Sequence, residues 1–172
     1  MTDDRTRTIT WSSPAIYATR GDLSGLELLQ AIQRGELPPP PIAKLLDMRI
    51  VEVEKGRVLF ELVVAEFHYS PLNMVHGGVA AALLDTVMGC AVQAMLGARG
   101  GYTTTDLHVR YVRPVTVESR VLRAEGKVVH AGSKVMTATG EVLDARGKLV
   151  AHGSCGCLVL NGGQQSTINS QP

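Results

Sequence analysis

The sequence predicts an α+β fold, one long apolar helix packed against a sheet of antiparallel strands. Three observations predict it. A single apolar segment runs from about His76 to Leu96 and is closed by Gly97, Gly100 and Gly101, as a helix C-terminus is. Two short β-rich runs precede it, Met48 to Val53 and Arg57 to Val64, around the hairpin signal Glu54-Lys55-Gly56. Four further β-rich runs follow, at about 102–113, 119–130, 133–144 and 148–159. Arg113-Pro114, Ala131-Gly132 and Ala145-Arg146-Gly147 separate them.

The elements around this core follow in order. Residues 1–21 are polar and without a clear period and read as an arm. Leu23 to Arg34 places Leu26, Leu29 and Ile32 at helical spacing, with Asp22 or Ser24 as the N-cap. The run Pro38-Pro39-Pro40-Pro41 cannot be helix interior and marks a stiff connector; a ligand for a proline-reading domain is the rarer use. Ile42 to Leu46 makes a short helical turn. The organisation is therefore 1–41 as arm, short helix and connector, 42–160 as the folded domain, and 161–172 as a Gly-, Gln- and Ser-rich disordered tail.

Composition narrows the function. At 172 residues, 45% hydrophobic and 19% charged, the chain buries a core without metals or disulfides. A net charge of +1 gives no general attraction to nucleic acid or to an anionic membrane. Cys90, Cys155 and Cys157 do not make a disulfide framework. With His152, the last two make no zinc set, because no fourth ligand has suitable spacing. No phosphate-binding glycine loop or dinucleotide fingerprint occurs. The N-terminus lacks the order of a secretion signal, and Asp85 at mid-length counts against a membrane span for Val79 to Leu96 by about 2.5–3.5 kcal/mol. The cytoplasm is the default location.

Within VAAALLDTVMGCAV, residues 79–92, only Asp85 and Thr86 are polar. An acid there is either satisfied structurally or held in a partly desolvated pocket for chemistry. His76-Gly77-Gly78 opens the helix. Backbone N–H groups of a first turn have no partner inside the helix, and with the positive end of the helix dipole they suit a carbonyl oxygen gaining negative charge. His76 and Asp85 are nine residues apart, about 13.5 Å along the axis, and project from opposite sides. If both act on one substrate, two copies of the helix must share the site, as in a two-fold dimer with antiparallel helices.

With HGG, an acid nine residues on and TTTDLHVRYVRP following, the chain resembles the hot-dog-fold acyl-CoA thioesterases of the phenylacetate-pathway (PaaI-like) family, over about Ile42 to Leu160. The resemblance implies an antiparallel sheet of five to six strands wrapped around the helix. It also implies homodimers, often paired into homotetramers, with active sites between subunits. The implied reaction is hydrolysis of an acyl-CoA to free acid and CoA, with no cofactor and no metal. Asp85 matches the acid that activates water or attacks the thioester, and Gly77 the residue whose N–H polarises the carbonyl, with Gly78 beside it. His76 matches a histidine that orients the site. Thr103 falls where several relatives place a hydroxyl positioning the water; strict alternation puts Thr103 and Thr105 on the helix-facing side with Leu107 and Val109. Relatives commonly read Asn-Pro-x-Gly-x-x-His-Gly-Gly. Here Ser70 takes the Asn position and Asn73 stands where a glycine is usual, so either Ser70 donates in its stead or Asn73 turns inward to replace the amide. Arg110, Arg113 and Lys134, with Gly132-Ser133 as a backbone approach, are the candidates for the CoA phosphates. Two rivals remain: a hot-dog enoyl-CoA hydratase, separated by a hydration assay, and a non-catalytic acyl-CoA sensor, which would bind without turnover.

Overall fold

The computed structural model describes residues 4–160; the expected tail at 161–172 lies outside them. Among the described residues four α-helices, α1 (Ala15–Ala18), α2 (Gly25–Gln33), α3 (Pro41–Leu46) and α4 (Gly77–Gln93), accompany six strands. These are β1 (Met48–Glu54), β2 (Arg57–Val63), β3 (Gly101–Tyr111), β4 (Val121–Ala131), β5 (Val135–Leu143) and β6 (Leu149–Leu160). All pair antiparallel in one sheet of order β1-β2-β4-β5-β6-β3. The sheet wraps α4, which is the hot-dog arrangement.

Burial explains why α4 has no polar stripe. Leu83, Leu84, Val87, Met88 and Val92 are all fully buried against Val58, Leu62, Leu122 and Val142 of the sheet. Each such side chain contributes about 1.5–3 kcal/mol relative to an exposed position. The helix crosses β4 so closely at Gly126 that a Cβ there would run into the backbone of Val87. Thr86, the other polar residue of the stretch, returns its hydroxyl to the Ala82 carbonyl at 2.7 Å.

The N-terminal residues close one edge of the sheet. Ser24 caps α2 in a capping box with Glu27, and Gln33 at its far end donates to the Val51 carbonyl at 2.6 Å, beside a bulge in β1. The arm contains α1, which its sequence did not announce, and it is tied down. Arg7 donates to the last carbonyls of α3, Leu45 at 2.9 Å and Lys44 at 3.1 Å, and its guanidinium lies 3.7 Å from the centre of the Phe67 ring. No helix among the described residues is long and apolar enough to cross a membrane.

Between β2 and α4 the chain is stapled by the buried His68. Its Nδ1 accepts from the Ala65 N–H at 3.1 Å, and its Nε2 donates to the Leu46 carbonyl at 3.0 Å in the tautomer this requires. Burial holds the imidazole pKa below its usual 6.5. The neutral ring is therefore the folded form, while the unfolded chain takes up a proton more readily. Stability is present above about pH 6.5 and is lost as pH falls through the lowered folded value. Urea midpoints measured from about pH 8 to pH 5 are expected to hold and then fall below about 6.5. His68→Gln should be less stable at pH 8 but lose most of that slope. An unchanged slope would assign the acid sensitivity elsewhere. Glu61 and Glu125, whose pKa values arginine and lysine partners lower despite burial, add their own loss only in the lower carboxylate range.

Candidate active site

The first turn of α4 is built from both ends. His76 is the N-cap in an extended conformation, and its Nδ1 accepts from the Gly78 N–H at 3.0 Å. His76 is itself held by the loop before it, its N–H donating to the His68 carbonyl at 2.9 Å. The Gly77 carbonyl accepts from the Tyr111 hydroxyl at 3.1 Å. The Gly77 N–H meets no acceptor among the described residues.

Asp85 is half-buried, and its Oδ1 accepts from the Thr104 hydroxyl at 2.9 Å. Thr103, expected to face the helix and position the water, is exposed, and Thr104 takes the inward position. The reason is a β-bulge: the β3–β6 register shifts between Thr104 and Asp106. The extra residue reverses the alternation, so Tyr102 and Thr104 face the helix before the bulge and Leu107 and Val109 after it. The placement of Thr103 and Thr105 beside the helix is thereby corrected. Asp106 repairs the bulge, its Oδ1 accepting the Gly156 N–H at 3.2 Å.

Around Asp85 the surroundings are poor in polar partners. Tyr102 lies against Gly89, one turn further along α4, and burial, assisted by Cys90 and Asp85, pushes its phenol well above the usual value. Burial, with a smaller contribution from Asp85, raises the Cys90 thiol to about 12. Cys155 and Cys157 are buried with sulfurs 3.8 Å apart, whereas His152 is exposed on the other face of β6. The three do not converge.

Ser70 and Asn73 form the turn before HGG. The Ser70 N–H donates to the Met74 carbonyl at 2.7 Å, and its Oγ accepts from the Leu72 N–H at 3.3 Å. Asn73 is exposed with φ +57°, the left-handed region, which explains why this position favours glycine and tolerates asparagine. No side-chain hydrogen bond among the described residues turns Asn73 inward.

The proposed phosphate contacts are far apart within one chain. Arg110 and Arg113 are exposed near the end of β3, where Arg113 Nη1 donates to the Leu149 carbonyl at 2.5 Å. Gly132, Ser133 and Lys134 turn β4 into β5 at the opposite end, beside Val135, which pairs with Leu158 and through it with Thr103. The nine residues from Thr103 to Tyr111 lie opposite Leu158 to Ala151 across the bulge, seven steps or roughly 24 Å of strand. A cavity of about 350 Å³ opens beside the start of α4, lined by Val75, Gly77, Ala80, Tyr111, Leu122 and Val150 among others.

Known proteins share this architecture. Residues 72–151 match the family model described as Thioesterase superfamily. A crystal structure of a protein from the thioesterase superfamily is 31% identical, with 80% of this chain and 98% of that one covered at a TM-score of 0.65. A Ralstonia eutropha phenylacetic acid degradation-related protein, provisionally termed a thioesterase, is 29% identical, with coverage of 76% and 98% and a TM-score of 0.69. A Saccharolobus solfataricus protein provisionally named an esterase is 31% identical over 87 residues, 48% of this chain. The match spans 61% of that curated relative's length. The chain belongs to the thioesterase superfamily.

Proposed function

We propose that the chain hydrolyses an acyl-CoA thioester to the free acid and CoA, in a site shared by two copies. One observation carries this reading. Among the described residues, Asp85 has a carboxylate oxygen uncommitted beyond its Thr104 bond and the Gly77 N–H meets no acceptor, but eight residues of helix, about 12 Å, separate them. One carbonyl cannot reach both within a chain.

The sheet supplies the remedy. β3 is an edge strand of 11 residues, and its outer side pairs with nothing among the described residues. Helix α4 runs antiparallel to β3, with Gly77 beside Tyr111, Asp85 beside Thr104 and Gly89 beside Tyr102. Antiparallel pairing of two β3 strands about a two-fold axis lays the Tyr111 end of one copy against the Thr104 end of the other. Gly77 of one copy then approaches Asp85 of the other, and Arg113 of one approaches the Gly132–Lys134 turn of the other. The separated phosphate candidates meet in the same step.

The chemistry follows. Asp85 removes a proton from water as hydroxide forms its bond to the thioester carbon, or attacks that carbon itself to give a mixed anhydride that water then cleaves. The carbonyl oxygen takes the negative charge and is held by the Gly77 N–H, an interaction worth about 3–4 kcal/mol in comparable sites. Collapse breaks the C–S bond and CoA leaves as the thiolate, which takes up a proton. A panel of short, medium and aryl acyl-CoA esters with a free-thiol readout tests the reading. Turnover of at least one ester at enzymatic rates is expected. Tight binding of CoA thioesters without release of thiol would favour the sensor instead.

A further inference from the structure

Two glycines in a first helical turn give the backbone more freedom than any other pair, yet an oxyanion donor needs a fixed direction. In α4 two side chains remove that freedom. His76 Nδ1 occupies the Gly78 N–H, and the Tyr111 hydroxyl, 34 residues away in sequence, occupies the Gly77 carbonyl. The Tyr111 ring also lies over the Gly77 Cα. An added Cβ at 77 would meet its ring carbons at 3.2 and 3.3 Å and its oxygen at 3.4 Å. In the single chain Tyr111 is 57% exposed, so packing within the protomer gives little reason for an aromatic ring to lie there.

We propose that Tyr111 is a positioning residue: its hydroxyl bond and its ring fix the plane of the Gly77 peptide, so that the one amide of the turn left without an acceptor keeps its aim on the thioester carbonyl. The inference rests on the thioesterase reading for its catalytic consequence and on the geometry alone for its structural one. Tyr111 would thus act through Gly77 and not on substrate. Tyr111 and Gly77 both line the 350 Å³ cavity beside the helix start.

Tyr111→Phe keeps the ring and removes only the bond. Two readouts separate the structural and catalytic parts. By ¹⁵N relaxation on the full chain, the Gly77 amide order parameter is expected to fall from about 0.85 toward about 0.6. In steady-state kinetics, kcat is expected to fall about five- to tenfold, with KM, melting temperature and dimer content unchanged. An unchanged order parameter overturns the proposal whatever the activity. So does an unchanged kcat in an enzyme that turns over, or a loss confined to KM or to stability. If the order parameter falls but the wild type hydrolyses no acyl-CoA, the positioning of Gly77 stands and the thioesterase reading fails. If Asp85→Asn is inactive while Tyr111→Phe equals wild type in both readouts, the reading stands and Tyr111 is only packing.

Discussion

Asp85→Asn is expected to lower kcat by about 10²–10⁴-fold while leaving the fold intact. The Asn Oδ1 can still accept from the Thr104 hydroxyl, as Asp85 Oδ1 does at 2.9 Å, so the side chain keeps its place between α4 and β3. What disappears is a group that takes a proton from water or forms a bond to the acyl carbon. The amide is isosteric with the carboxylate and fills the same half-buried place. The melting temperature of the variant should therefore be no lower than that of the wild type. Kinetics on the best acyl-CoA and a thermal melt check both halves. Wild-type turnover in the variant would remove Asp85 from the mechanism.

Gly77→Pro is the second large effect. Gly77 is the first residue of α4, where proline is tolerated because that N–H makes no helical bond, and His76 before it has φ −62° and ψ 135°, the extended region that a residue preceding proline prefers. The substitution removes the proposed oxyanion donor and almost nothing else. The Tyr111 ring must give way by a few tenths of an ångström. Loss of about 10²–10³ in kcat is expected with an unchanged far-UV spectrum. Gly77→Ala meets the same ring but keeps the N–H, and should stay within about tenfold of wild type. Equal losses in the two variants would mean that crowding, and not the missing donor, causes them.

The order of elements was legible because apolar periodicity and turn residues agree along most of the chain. The buried helix, the strand runs and Ser24 as an N-cap were all open to reading. The short helix at Ala15–Ala18 was not, since four residues leave no period to detect. Thr104 was missed for a different reason. In the run Thr103-Thr104-Thr105, composition is uniform and only parity selects a face. The bulge that changes parity is a tertiary feature marked in the sequence by nothing stronger than Asp106 opposite Gly156. Tyr111 was hidden because no local pattern says which strand end will lie over a helix start. Asn73 shows the reverse case: its left-handed φ accounts for a departure that had looked chemical. Asp85 and Gly77 could be picked out singly, but helix rise keeps them apart within a chain, so their cooperation is a property of an assembly.

That cooperation can be tested by mixing two inactive proteins. A dimer of Asp85→Asn with Gly77→Pro has one site with both changes and one with neither, if each site draws its acid and its amide from different chains. After subunit exchange at equal amounts, with mixed dimers confirmed by native mass spectrometry, about a quarter of wild-type specific activity should return, since about half the dimers are mixed and carry one intact site each. Activity no higher than that of the parents, in a sample shown to contain mixed dimers, would contradict a site shared between chains.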